Sequence, residues 1–390
     1  MVGLSMTHRI GFLMEQNAGH LTNYRNLRTV VEQSAPADVS PAWHELYYNR
    51  PGGRLERLRE DYLPFVPAYV TGNARMFLEF RQALIDQRYD AMLTNSWAIM
   101  FFTRRISQIP TLIDFDSTPR QIDRMATYGS PDDSVPVAAL KHRLAKRAYG
   151  SAQLLQAWSN WAKASAVNDY GIPAEKVIVN PPGIDLDFFH PPLQGRQVGG
   201  RKLRVVFVGG DFRRKGGHLL LQWFRHQQAG DVELHLATHE PVTPLRGVIV
   251  HDVMPNSREL LQIYQQGDVF VLPSLGECFG LATVEAMATG LPTVVSDIGG
   301  SADIVEHGEN GFITKAGDPD QLSAALVALL TDPVRRQAMG IRSRQLAEQR
   351  FDARRNALRT LEILRNMAVA GGCRDSAFDE RWGNATLSQM

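Results

Sequence analysis

The chain has 390 residues, of which 44% are apolar and 21% charged, with a formal net charge of +1. That length exceeds one ordinary hydrophobic core and suits two domains of roughly 180 residues each, and the near-neutral balance supplies no general attraction for nucleic acid. Two cysteines, Cys278 and Cys373, exclude a disulfide framework and a cysteine metal cluster, and read as thiols of a reducing compartment.

Short apolar segments alternate with helical patterns, the signature of parallel sheets in an α/β protein, and the series occurs twice. In the first half, strands are predicted at 9–14, 91–94, 111–115, 154–157 and 177–179, with helices at 23–32, 73–86 and 137–149. A polar stretch rich in Pro and Gly, HPPLQGRQVGGRK (190–202), reads as a linker. The second series of strands falls at 203–208, 233–237, 248–250, 269–272 and 293–296. Beyond Pro319 the pattern is helical (321–330, 333–350, 353–367), and 371–390 is polar and irregular, as expected of a loosely ordered tail.

The segment LPSLGECFGLATVE (272–285) sets an acid beside a helix start. Pro273, Ser274 and Gly276 break a buried strand, Glu277 falls in the turn, and a helix is expected over 279–289. The first amides of a helix lack internal acceptors and carry about half a positive charge, so Gly280 and Leu281 offer an anion site. Glu285 would lie about two turns along that helix. A second anion signal is VFVGGDFRRKGGHLLL (206–221), where a strand ends in a glycine pair, a basic triplet (Arg213, Arg214, Lys215) and a new helix.

The spacing of Glu277 and Glu285 resembles the E-x7-E element of retaining glycosyltransferases of the GT-B fold, notably family 4 (glycosyl transferases group 1). EAMATGLPTVVSDIGGSADIVEHGENGFI (285–313) is similar to the sequence that follows this element, and AWSNWAKASAVNDYGIPAEKVIVNPPGIDLDFF (157–189) looks like the end of the family's N-terminal domain. The resemblance is strong over roughly 153–350 and diffuse over 9–150. It implies two Rossmann-like domains facing across a cleft: an acceptor-binding domain over 1–190, with the helix 353–367 packed back on it, and a nucleotide-sugar-binding domain over 191–351.

The activity so implied is retaining, metal-independent transfer of a hexose-like sugar from a nucleotide-diphosphate sugar to a hydroxyl acceptor: a glycan, a lipid-linked acceptor or a small molecule. No cofactor beyond the donor and no metal are expected. A departing diphosphate gains negative charge in the transition state, and preorganised cations and amides can meet it. Glu277 would hold sugar hydroxyls, Lys215 and Arg214 would neutralise diphosphate, and Glu285 would bind ribose. Gly280 and Leu281, preceded by Phe279, would complete the donor site. The family usually has arginine where Gly210 stands, which leaves Arg213 or Arg214 to supply that charge. The loop around Val253 and Met254 corresponds to the family's nucleobase cradle, made of backbone groups that do not identify the base.

In the first half, MEQNAGHLTNY (14–24) resembles a glycine loop of the family that approaches the donor phosphate or the acceptor, with Gly19 the best match on the donor side and His20, on the acceptor side, a base, a hydrogen-bond donor or a surface histidine; Asp116 stands where a histidine is common, near the donor sugar or the acceptor. The text from Asp116 to Pro119 is similar to a D-x-T-P bacterial subset of the family. Asp114 and Asp116 also read as the D-x-D metal element of the other transferase fold, but two Rossmann-like halves oppose that reading. GxGxxG is absent, against a dinucleotide oxidoreductase. Trp158 and Trp161 are expected in a core or interface, and Asp185 in a hinge or cap. The rivals are a GT-B sugar-nucleotide epimerase and a non-catalytic sugar-nucleotide-binding module.

The opening MVGLSMTHR has no apolar signal core, and the run 322–330 is far below the ~20 residues of a spanning helix, so a cytoplasmic protein is expected. A basic helical segment, KHRLAKR (141–147), allows peripheral contact with anionic lipid at the inner face of a membrane.

Overall fold

The computed structural model describes residues 7–48, 53, 57, 61–62, 68–125, 127, 134–196, 200–226 and 231–372. Two six-stranded parallel sheets carry the architecture. The first comprises β1 (His8–Glu15), β2 (Val39–Leu46), β3 (Ala91–Thr94), β4 (Thr111–Phe115), β5 (Leu154–Ala157) and β6 (Val177–Val179), in the order β2-β1-β3-β4-β5-β6. The second comprises β7 (Leu203–Val208), β8 (Val232–Ala237), β9 (Val248–His251), β10 (Val269–Leu272), β11 (Thr293–Ser296) and β12 (Gly311–Thr314), in the order β12-β11-β10-β7-β8-β9. Helices cover both faces, so inner strands such as β3, β4, β10 and β11 are buried along their whole length.

Each sheet reverses its strand order once, between β1 and β3 and between β7 and β10. Ligands of open α/β sheets bind outside the carboxyl ends at such a reversal. The segments following β1, β3, β7 and β10 therefore border the two places where a ligand can sit.

Three features depart from the sequence reading. β2 and β12 are additional strands, each at a sheet edge. Pro41 disguises β2, but a proline is tolerated where one side of a strand has no partner. The helix after β1 runs Ala18–Ser34, so Gly19 and His20 occupy its first turn rather than a loop. The last helix runs Ala353–Gly372, beyond 367; the remainder of the tail expected at 371–390 lies outside the described residues.

That last helix belongs to the first core by packing: Leu361, Leu364 and Met367 cluster with Ile10, Phe12, Met14 and Leu27. To reach it, the chain crosses between halves at 351–353, beside the outward crossing at 183–184. Ile184 N–H donates to Phe351 O (2.9 Å), Ala353 N–H donates to Ile184 O (3.0 Å), and a Cβ on Gly183 would fall 2.3 Å from the backbone of Ala353. The linker is anchored as well. Arg196 donates to the carbonyls of Tyr264, Gln265, Gly267 and Thr289, closing two helix ends, and burial lowers its pKa to about 10.

Candidate active site

After β7 the chain turns through Gly209 and Gly210 into a compact basic loop. Gly216 adopts φ +77°, and any Cβ there would overlap Pro273 O at 1.9 Å, so the loop presses directly on the end of β10. A Cβ on Gly209 would meet the Lys215 stem at 2.7 Å. Lys215 Nζ consequently reaches Glu277, donating to Oε2 at 2.7 Å. Arg214 donates to Gly276 O (2.8 Å) and to Asp211 (2.9 Å), bracing the turn that carries Glu277, whereas Arg213 is exposed. Around Gly210 there is open space.

The helix after Glu277 runs Leu281–Ala288 and starts two residues later than its sequence pattern suggests, because Gly280 is its N-cap at φ +98°. Across from it, a Cβ on Gly19 would lie 3.7 Å from Leu281 Cδ1, which brings the first helix of the chain to this helix start. Phe279 turns its ring inward, edge-on to Trp158 at 5.8 Å and to Phe351 at 6.1 Å, so it offers backbone alone to a ligand. Glu285 is buried and accepts a hydrogen bond from Tyr264 OH (2.8 Å). Burial pushes its pKa up to about 7, with the Tyr264 hydrogen bond and the Lys215 charge pulling the other way. Val253 and Met254 follow β9, two strand spacings from β7 and hence on the order of 10 Å to the side; Met254 is exposed.

The first half presents a different cluster. Asn95, just beyond β3, accepts from Glu15 N–H through Oδ1 (2.7 Å), which orients its amide so that Nδ2 donates to His20 Nδ1 (3.0 Å). In neutral His20 the proton therefore resides on Nε2, which faces Asp116 Oδ2 at 3.8 Å. Asp116 also accepts from Ser117 OH (2.8 Å). Asp114 is turned away into a buried network, taking hydrogen bonds from Trp158 Nε1 (3.0 Å), Gln156 Nε2 (2.9 Å) and Asn23 Nδ2 (3.2 Å). Burial raises its pKa to about 6. A pocket of about 190 Å³ is lined by Glu15, His20, Asn95, Asp116 and the apolar side chains of Trp97, Ile99, Met100 and Tyr149, among others.

The two clusters face each other. Trp158 lies against both the His20 ring (5.0 Å) and Phe279. Asp303, in the second half, accepts from Asn160 Nδ2 (2.6 Å) and Trp161 N–H (3.3 Å) at the start of a helix in the first, and Thr127 Oγ1 donates to Leu275 O (3.0 Å). A cavity of about 600 Å³ between the linker and the helix Pro333–Arg350 is lined by none of these groups.

Known proteins resemble this chain in sequence and in fold. A family model described as Glycosyltransferase Family 4 matches residues 39–188, and one described as Glycosyl transferases group 1 matches 202–332. A D-inositol 3-phosphate glycosyltransferase of Kribbella flavida is 30% identical over 75% of this chain and 74% of its own length. The chain belongs to glycosyltransferase family 4. A relative of the same description in Paenarthrobacter aurescens is 28% identical over 53% of this chain, and the match spans about half (55%) of that relative. HepE of Anabaena, solved in complex with UDP-glucose, superposes with a TM-score of 0.66 at 18% identity, covering 92% of this chain and 100% of that one, and it shares the two-sheet GT-B architecture.

Family 4 glycosyltransferases transfer sugars, and in this member several site groups escape a reading of sequence. Glu15 and Asn95 are single polar residues behind apolar strands, and their one signal is position at a strand's carboxyl end. Tyr264 sits in the amphipathic helix Arg258–Gln266 and looks like any core aromatic. Asp185 is a turn cap, accepting from Asp187 N–H and Phe188 N–H at 3.0 Å. In the basic segment 141–147, Arg143, Lys146 and Arg147 are exposed while Ala145 is buried and Lys141 pairs with Asp123. Among the described residues no helix is long and apolar enough to cross a membrane.

Proposed function

We propose that this glycosyltransferase moves a hexose-like sugar from a nucleotide-diphosphate donor to a hydroxyl acceptor, with retention and without a metal, the segment 1–190 holding the acceptor and 191–351 the donor. The observation that carries this reading is the convergence of Lys215 Nζ, Glu277 and the Gly280-capped helix start at the carboxyl ends of β7 and β10. Lys215 and the Gly280 and Leu281 amides meet the diphosphate, Arg214 adds its charge while bracing the Glu277 turn, and Glu277 takes the sugar hydroxyls. Glu285, held by Tyr264, accepts from ribose, and backbone at Val253 and Met254 borders the base. Binding of UDP-glucose by HepE, a GT-B relative in architecture, supports a donor of that class.

The sugar's bond to the leaving phosphate oxygen breaks as its anomeric carbon bonds to the acceptor oxygen on the same face. The acceptor proton passes to the departing phosphate oxygen, so no protein base is required. His20 and Asp116 hold the acceptor hydroxyl opposite Gly19. The pocket beside them favours a transferase over an epimerase, which has no second substrate to seat.

The test is calorimetry with UDP and GDP in the presence of EDTA, followed by transfer assays with the corresponding sugars. Binding and turnover should survive chelation. Activity lost on chelation and restored by a divalent cation would refute the metal-free reading.

A further inference from the structure

We propose that the part of the acceptor seated in the pocket behind His20 is a single hydroxylated ring free of phosphate and carboxylate, with one hydroxyl bridging His20 Nε2 and Asp116 Oδ2. The inference rests on the transferase reading above and narrows its acceptor.

The gap itself selects a hydroxyl. At 3.8 Å, His20 Nε2 and Asp116 Oδ2 are too far apart for a direct hydrogen bond. An oxygen about 2.8 Å from each would accept from the imidazole and donate to the carboxylate, which requires a group that both gives and takes a proton. Asn95 fixes the imidazole in the tautomer that donates from this side. An ionised phosphate oxygen has no proton to give and would confront Asp116 directly.

The walls carry the same preference. The described residues lining the pocket include Glu15, Asp114 and Asp116 and no lysine or arginine, and of these acids Asp116 carries the carboxylate that faces His20 while that of Asp114 is held in its own buried network. Arg120 and Arg124, on the helix that follows, pair with Asp169. A second anion placed here would meet the like charge of Asp116. Burial raises the pKa of Glu15 and of Asp114 against the opposing pull of their hydrogen bonds and of His20, and Asp116 adds a smaller push in the same direction as burial. The volume of about 190 Å³ is below the roughly 300–1,000 Å³ of sites for drug-sized ligands, so one ring enters rather than a chain. Trp97, Met100 and Tyr149 offer apolar faces to its C–H surface. Curated relatives named for an inositol phosphate acceptor make the contrast a sharp one.

The experiment is titration calorimetry on the full chain saturated with UDP, using myo-inositol, glucose and glucosamine against D-inositol 3-phosphate and glucose 6-phosphate. At least one of myo-inositol and glucose should bind about tenfold or more tightly than its phosphorylated counterpart, the margin expected of one like-charge contact. Asp116→Asn, with UDP affinity retained, should shrink that ratio. A phosphorylated ring binding as well as or better than its neutral partner would overturn the proposal, and so would binding of no ring while UDP binds. Failure of UDP itself to bind would strike the transferase reading, and the pocket's assignment with it.

Discussion

At the carboxyl ends of β7 and β10, a lysine and a helix start surround two glutamates; at those of β1, β3 and β4, Glu15, Asp116 and His20 line a pocket with no lysine or arginine among its described residues. Both arrangements sit at the reversal of an equivalent parallel sheet. The backbone thus supplies a place for a ligand, and the side chains decide its charge. In the proposed function, the half after the linker receives a dianion and the half before it excludes one.

The largest effect expected from breaking this contrast comes from Lys215→Ala. It removes the cation proposed to meet the diphosphate and leaves Glu277 buried without its partner, so turnover should fall by about 10³-fold, the order seen when a preorganised charge donor is lost. Lys215→Arg should recover part of the rate, and circular dichroism should report an intact fold for both. Gly216→Ala strikes the same half through the backbone. With φ +77° and Pro273 O inside contact distance, it should cost more than about 2 kcal/mol, read as a lower midpoint in urea.

In the acceptor half, Asn95→Leu frees His20 to adopt the other tautomer. The acceptor KM should rise about tenfold, with UDP affinity unchanged by calorimetry. His20→Gln retains a donor at that position and should fall between Asn95→Leu and the parent. A smaller effect, opposite in sign for stability and binding, is expected of Glu285→Gln. The folded-state pKa of about 7 exceeds the ordinary 4.5, so this carboxyl's contribution to stability is greatest below pH 4.5 and is lost as pH rises toward 7. The variant should therefore melt about 3 °C higher than the parent at pH 8 and no higher at pH 4.5, while binding UDP more weakly.

The difference between the halves also explains what could be read from the sequence. The donor side is local. Lys215 with its flanking glycines, and Glu277 with Gly280 and Glu285, each lie in one short stretch whose turn and helix start have a sequence signature. The acceptor side is assembled from β1, β3 and β4, so Glu15, Asn95, His20 and Asp116 meet only after the sheet forms, and a lone asparagine after an apolar run carries no mark of what it will face. His20 and Asp116 were identifiable as residues, but the tautomer that links them was not. Of the fold, ten of the twelve strands follow from alternating apolar segments. The two others are edge strands, where Pro41 in β2 and the brevity of β12 blur a pattern that burial on both sides would have enforced.

The paired crossings at Ile184 and Asp352 constrain how the cleft can work. Because both connecting strands meet at one spot and are stitched there by main-chain hydrogen bonds, neither half can slide past the other without tearing that seam. A relative movement of the halves that spares this seam has to turn about it, and the hydrogen bonds from Asn160 and Trp161 to Asp303 are among the contacts it would part.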